Sequence, residues 1–254
     1  MFESFYGFAR TPFARDIPTD ELFCSDQLQE TIGRLTYAAE RQLFALVTGE
    51  CGTGKTTAIR RFKELLDDNG YRVLYISDSK LTPRHFYKGL HRGGFGVHYE
   101  VELLRGLHHL KPVVIVDEGH LLDHEMLEEI RFLLNFKLDS ESPMALILVG
   151  QSELWELLKR QVYTAVRQRL DIRCCLYHYD RAQSDAYIRR HLQFAGAASE
   201  IFSDAALAEI FRHSAGAARI INKVCTHCLI HGSQHNKKII DDHIVRQVIE
   251  EELP

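Results

Sequence analysis

Between residues 43 and 176, short apolar runs alternate with longer segments whose apolar residues recur every three or four positions. The runs at 43–48, 72–76, 113–117, 146–150 and 172–176 have strand length, and the segments between them have helical period. Leu28, Ile32, Leu35 and Ala39 predict a helix over 27–41. Ala58, Ile59, Phe62, Leu65 and Leu66 predict another, which Asn69-Gly70 stops. Pro83 sits in the first turn of a helix reaching Leu90. A Gly-rich piece at 93–96 leads into a further helix ending near Leu110, and Met126, Leu127, Ile130, Leu133 and Leu134 line the next. Helix is also expected across 152–170. Strands that alternate with helices in this way pair in parallel through right-handed crossovers, with helices covering both faces of the sheet.

From about residue 180 the strand pattern stops. Amphipathic helices are expected near 180–194, 203–213, 216–231 and 241–252, with Ser203 and Asp241 as N-caps for two of them. Residues 1–26 concentrate Phe2, Phe5, Tyr6, Phe8, Phe13 and Phe23 beside Pro12 and Pro18. Such a segment is expected to wrap the core rather than to fold alone. The predicted layout is an amino-terminal segment (1–26), an α/β core with a five-stranded parallel sheet (27–179), and a small all-helical lid (180–254).

Composition adds mostly exclusions. The chain has 254 residues, 45% hydrophobic and 26% charged, which is ordinary for a globular protein. A net charge of −4 means that any nucleic-acid contact must come from a local patch. No apolar run is long enough to span a membrane, and the amino terminus lacks the basic-then-apolar order of a secretory signal. A cytoplasmic protein with reduced thiols is the expectation for its six cysteines. Cys225-x-x-Cys228, with His227 and His231 close by, admits two readings, a metal cluster or the apolar face of one helix. A single Cys pair among Ile220, Ile221, Val224, Leu229 and Ile230 favours the second.

The first chemical signal lies between the strand at 43–48 and the helix after it. Gly49, Glu50, Cys51, Gly52, Thr53, Gly54, Lys55 and Thr56, followed by Thr57, fit G-x-x-x-x-G-K-[ST] in strand–loop–helix context. The glycines let backbone N–H groups curl around phosphates, Lys55 adds a point charge, and Thr56 offers a hydroxyl to Mg²⁺. ATP and Mg²⁺ are therefore the expected cofactors. Asp117 and Glu118 end an apolar strand, where Asp117 can hold a Mg²⁺ water and Glu118 can polarise the attacking water. A kinase would not need the second acid; a hydrolase does.

Gln151 follows the strand at 146–150, where a polar side chain can read the γ-phosphate and align water; a loop-bridging role is the alternative. Arg167 and Arg169 precede the last strand, and Arg169 is the preferred candidate for an arginine finger aimed at a neighbouring subunit. Arg219 opens a lid helix and could contact phosphate from that side. Lys80, Arg84 and Lys88, with His85, His91 and Arg92, form a basic cluster that suits either DNA-phosphate contact or an ordinary solvated face.

Taken together, these residues resemble an AAA+ ATPase. FYGFARTPF, TGECGTGKTT, VDEGHLL, LILVGQSEL, RQRLDI and GAARIINKVC narrow the resemblance to the ExeA-type group, which includes secretion ATPases and transposon-encoded ATPases similar to TnsC, TniB and MuB. The resemblance implies Walker A at residues 49–57, Walker B at Asp117 and Glu118, sensor 1 near Gln151, the finger at Arg169 and sensor 2 at Arg219. Secretion members carry a membrane span and a cell-wall-binding region after the ATPase core. This chain stops at Pro254, so the resemblance points to the stand-alone kind. That kind implies an oligomer (ring or filament) assembling on double-stranded DNA and recruiting a transposase. Energising secretion or envelope assembly is the alternative, and a nucleotide-gated binding module with little hydrolysis is a third. Two departures stand out. Gly119 replaces the usual Ala of DEAH, and residues 89–100 are shorter than the polar segment of relatives.

Overall fold

The computed structural model describes residues 2–77, 81–92, 110–134, 142 and 144–253, and side chains of 89–92 are outside that description. Strands form at the five apolar runs: β1 (Phe44–Gly49), β2 (Tyr71–Ile76), β3 (Lys111–Val116), β4 (Ala145–Gly150) and β5 (Ile172–Leu176). They build one parallel sheet in the order β2-β3-β4-β1-β5. β1 and β4 are buried along their whole length, as interior strands covered on both faces must be. β2 and β5 stand at the two edges, and both are less buried than the strands between them.

The chain divides into two compact units. The α/β unit comprises residues 26–50 and 55–176. Its helices are α2 (Asp26–Arg41), α3 (Lys55–Leu65), α4 (Pro83–Arg92), α5 (His124–Leu133), α6 (Ser152–Leu158) and α7 (Thr164–Gln168). α2 buries Leu28, Thr31, Ile32, Leu35, Ala38 and Ala39, the face its spacing predicts. α3 buries Ala58, Ile59 and Phe62, but Leu65 is exposed, contrary to expectation. The helix ends there, and the Leu66 N–H turns back to Lys63 O (3.3 Å), which sends Leu66 inward instead. The expected helix across 152–170 is broken into α6, a 3₁₀ turn at Gln161–Tyr163, and α7. Arg167 stabilises the break by donating to Leu158 O (3.2 Å) and Lys159 O (2.7 Å), the carbonyls that α6 leaves without intrahelical partners. The helix expected over roughly 97–110 lies outside the described residues, apart from Leu110.

The helical unit comprises residues 1–25, 51–54 and 177–254. It holds α1 (Phe2–Tyr6), α8 (Arg181–Ala195), α9 (Asp204–Ser214), α10 (Ala218–Gln234) and α11 (Asp242–Glu251). Ser203 and Asp241 cap α9 and α11, accepting from Ala206 N (3.1 Å) and Ile244 N (3.0 Å), and Asp180 with Gln183 forms a capping box on α8. Phe8 and Phe13 belong to this unit's core, with Ile188, Leu207, Val224 and Val245, rather than to the core around the sheet. The four helices leave an apolar face that these rings close. Each large side chain so buried is worth roughly 1.5–3 kcal/mol.

Gly216 joins α9 to α10 with φ +80°, and a Cβ there would lie 1.8 Å from Tyr179 O. Its carbonyl accepts from Tyr179 N (3.0 Å), so the two backbones touch. Cys225 and Cys228 are fully buried on α10, and burial pushes the Cys228 thiol up to about 12. His227 and His231 both face Glu252, at 3.2 Å and 3.0 Å.

Candidate nucleotide site

In a parallel sheet every strand ends at the same edge, and ligands bind outside that edge where the strand order reverses. Here β1, β3 and β4 end at Gly49, Val116 and Gly150, so the phosphate loop, Asp117-Glu118 and Gln151 are placed along one edge. Glu50 and Lys55 flank the loop in the α/β unit. The Lys55 ammonium donates to Gly49 O (2.7 Å) and Glu50 O (2.9 Å), which curls it back over the turn. The Ser152 hydroxyl, at the start of α6, donates to Glu50 Oε1. Thr56 is exposed on the first turn of α3, and Thr57 follows it half-buried.

The loop tip, Cys51–Gly54, groups with the helical unit. Gly52 and Gly54 have φ +87° and +90°, conformations a side chain would disfavour. The Ala218 N–H donates to Gly52 O (3.1 Å), and His178 Nε2 lies 3.2 Å from Cys51 O. Arg219, in the first turn of α10, is exposed and places Nη1 3.2 Å from Cys51 Sγ. Thr53 is buried.

Asp117 is 8% exposed, the buried member of the acid pair. Its Oδ2 accepts from the Tyr75 hydroxyl (2.5 Å) and its Oδ1 from the Glu118 N–H (2.8 Å). A carboxylate offers about four acceptor positions, so two internal bonds leave room for water of a metal ion. Burial, then the bond to Asp117, raises the Tyr75 phenol well above its usual range, so it stays a donor. Tyr75 was not expected at the site; its polar hydroxyl at the end of an edge strand is the signal in hindsight.

Glu118 has φ 54° and ψ 31°, a left-handed backbone unusual for a residue with a side chain. The chain therefore turns sharply after β3 into a 3₁₀ turn, Gly119–Leu121. The turn packs closely on the end of β4. A Cβ at Gly119 would lie 3.2 Å from Val149 O and 3.1 Å from Leu154 Cδ2, and one at Gly150 would lie 3.1 Å from His120 N. The glycine at 119 thus does more than drop a methyl, because it admits close backbone contact. His120 is a second residue the sequence reading did not place. Its Nδ1 is 3.5 Å from Glu118 Oε2, and its Nε2 is 3.1 Å from Gln151 Nε2.

Gln151 occupies the N-cap position of α6 without a side-chain cap bond, so its amide is not spent on the helix. Arg169 follows α7, half-buried, with Nη1 donating to Ala165 O (3.3 Å). On α4, Arg84, His85 and Lys88 are exposed, Arg84 and Lys88 one helical turn apart; Lys80 lies outside the described residues. No group of three or more metal-ligating side chains occurs among the described residues, and none of their helices is long and apolar enough to cross a membrane.

Residues 38–158, which hold the loop, the acid pair and Gln151, match the AAA domain family. That stretch, a little under half of the chain, is similar to AAA domains. Solved structures agree on the fold. Drosophila ORC bound to DNA superimposes with a TM-score of 0.68 at 18% identity, covering all of this chain and 65% of that one. Cdc6p from Pyrobaculum aerophilum gives 0.68 at 18%, covering 95% of this chain and 70% of that one. The Thermotoga maritima RuvB Holliday junction branch migration motor gives 0.61 at 20%, covering 87% and 68%. The chain is also similar to General secretion pathway protein A of Aeromonas hydrophila. That similarity is 31% identity over 246 residues, 91% of this chain and 44% of the relative. The chain thus spans less than half the length of that relative.

Proposed function

We propose that the chain is a Mg-ATP-hydrolysing AAA+ module of the ExeA kind, which converts nucleotide turnover into work on a secretion or envelope-assembly partner. The observation that carries the hydrolytic part is the acid pair, Asp117 buried and bonded, Glu118 beside it 52% exposed, next to Gln151 on the neighbouring strand end. The secretion part rests on the similarity to General secretion pathway protein A.

Bound Mg²⁺, held through Thr56 and Asp117, would supply charge neutralisation on the phosphates. Backbone N–H groups of residues 49–54 and the Lys55 ammonium orient the phosphates. Glu118 accepts a proton from the attacking water, and the Gln151 amide aligns that water against the terminal phosphate. Arg219, beside Cys51 of the loop tip, adds a charge there. Arg169 serves a neighbouring copy in an oligomer.

The decisive experiment measures ATP turnover and nucleotide affinity of the full chain beside Lys55→Ala and Glu118→Gln. Lys55→Ala should lose affinity, and Glu118→Gln should keep it while turning over at least about 100-fold more slowly. Equal turnover of Glu118→Gln and wild type would mean that Glu118 is not acting as a base.

A second reading, assembly on double-stranded DNA beside a transposase, is favoured by the exposed Arg84, His85 and Lys88 on α4. ATP-dependent retardation of DNA at low salt, where phosphate contacts are strongest, would support it. Co-purification with membranes and no DNA shift would favour the first.

A further inference from the structure

The imidazole of His120 lies between the two side chains assigned to hydrolysis, and no motif assigns it a task. Its side chain is 13% exposed, with Nδ1 facing Glu118 Oε2 at 3.5 Å and Nε2 facing Gln151 Nε2 at 3.1 Å. The Gln151 N–H also points at His120 Nδ1, at 3.5 Å. We propose that His120 is a positioning residue that couples Gln151 to Glu118, so that the group reading the terminal phosphate and the group polarising water are held as one piece. This rests on the hydrolytic reading above.

A neutral imidazole donates at one nitrogen and accepts at the other. The shorter contact, 3.1 Å, makes Nε2 the acceptor of one N–H of the Gln151 side-chain amide, which puts the proton on Nδ1 facing the Glu118 carboxylate and leaves the Gln151 backbone N–H, at 3.5 Å, without a bond to the ring. The second amide N–H of Gln151 then remains for a phosphate oxygen, and its Oε1 for water. The bond from His120 fixes which end of the amide faces the substrate, a choice a lone glutamine would leave open. The placement of the ring is not left to the side chain alone. The left-handed backbone at Glu118 turns the chain back, and Gly119 and Gly150 let the turn sit against β4 with no Cβ between them. Leu121 N–H closes the turn onto Glu118 O at 2.9 Å. Movement of Gln151 is therefore passed to the turn that carries Glu118.

The test uses the full chain with MgATP, and ATPγS and ADP as equilibrium probes, on wild type, His120→Ala, His120→Gln, Gln151→Ala and the double Ala variant. His120→Ala should lower kcat by about 10–100-fold, the usual loss for a partner that orients a reacting group. KM for ATP should stay within about twofold, because an interaction made only during turnover is removed. The preference for ATPγS over ADP should likewise stay within about twofold, and His120→Gln, which keeps an acceptor near Nε2, should recover part of the kcat loss. The double variant should be no slower than Gln151→Ala alone, since the two residues act as a unit. Effects that multiply, a change confined to KM, or no rescue by His120→Gln in a protein that melts like wild type would overturn the coupling while leaving hydrolysis intact. A wild type that binds no MgATP would overturn the hydrolytic reading, and this proposal with it.

Discussion

His191 offers a pH test whose size follows from its surroundings. It lies on α8 at 2% exposure, its ring 5.0 Å from that of Phe13 and 4.4 Å from that of Tyr187. Its Nδ1 accepts the Phe13 N–H at 3.3 Å, a bond that requires the unprotonated nitrogen. Burial, with the Arg190 charge second, pushes its pKa down to about 4. In the unfolded chain the same imidazole titrates near 6.5. The folded pKa is the lower one, so its contribution is whole above pH 6.5 and is lost as pH falls toward 4. Integrating the difference in bound protons gives a loss of about 2 kcal/mol between roughly pH 7.5 and pH 5. Hydrogen exchange of peptides spanning α8, corrected for intrinsic rates, reads this locally. His191→Asn keeps an acceptor near Nδ1 without titrating in this range. It should cost stability at both pH values yet remove most of the extra loss at acid pH. Equal acid losses in wild type and His191→Asn would show that His191 is not the titrating group.

Two further outcomes follow from close contacts. Gly216→Ala places a Cβ against Tyr179 O in a left-handed backbone, and should destabilise the helical unit by about 3 kcal/mol or more, seen as loss of exchange protection in α9 and α10. Tyr75→Phe removes one of the two internal bonds to Asp117, and should raise the Mg²⁺ concentration for half-maximal turnover roughly tenfold while changing stability by about 1 kcal/mol. An unchanged Mg²⁺ requirement would place Tyr75 outside the metal's support.

Local pattern was enough for the elements that carry the site. The interior strands are continuous apolar runs because both faces are covered, and the loop, the acid pair and Gln151 sit where such strands end. Ser203 and Asp241 were legible as caps because capping is a local bond. What escaped depends on contacts distant in sequence. Phe8 and Phe13 fill a core built by residues 181–251, and nothing near them says so. The break after α6 depends on Arg167 reaching back eight and nine residues to the Lys159 and Leu158 carbonyls. The tasks of Tyr75 and His120 emerge only when β2, β3 and β4 are laid side by side.

The backbone at Glu118 has a consequence for how this sequence can drift. A left-handed residue with a long side chain costs of order 1 kcal/mol or more, which Gly would relieve and Asn would lessen. Folding alone therefore pulls position 118 away from glutamate. A lineage released from the need to turn over nucleotide should lose this acid early and gain stability in doing so, while Asp117, buried and bonded on both oxygens, should outlast it. On the hydrolytic reading, glutamate at 118 is held against the backbone preference of the chain itself.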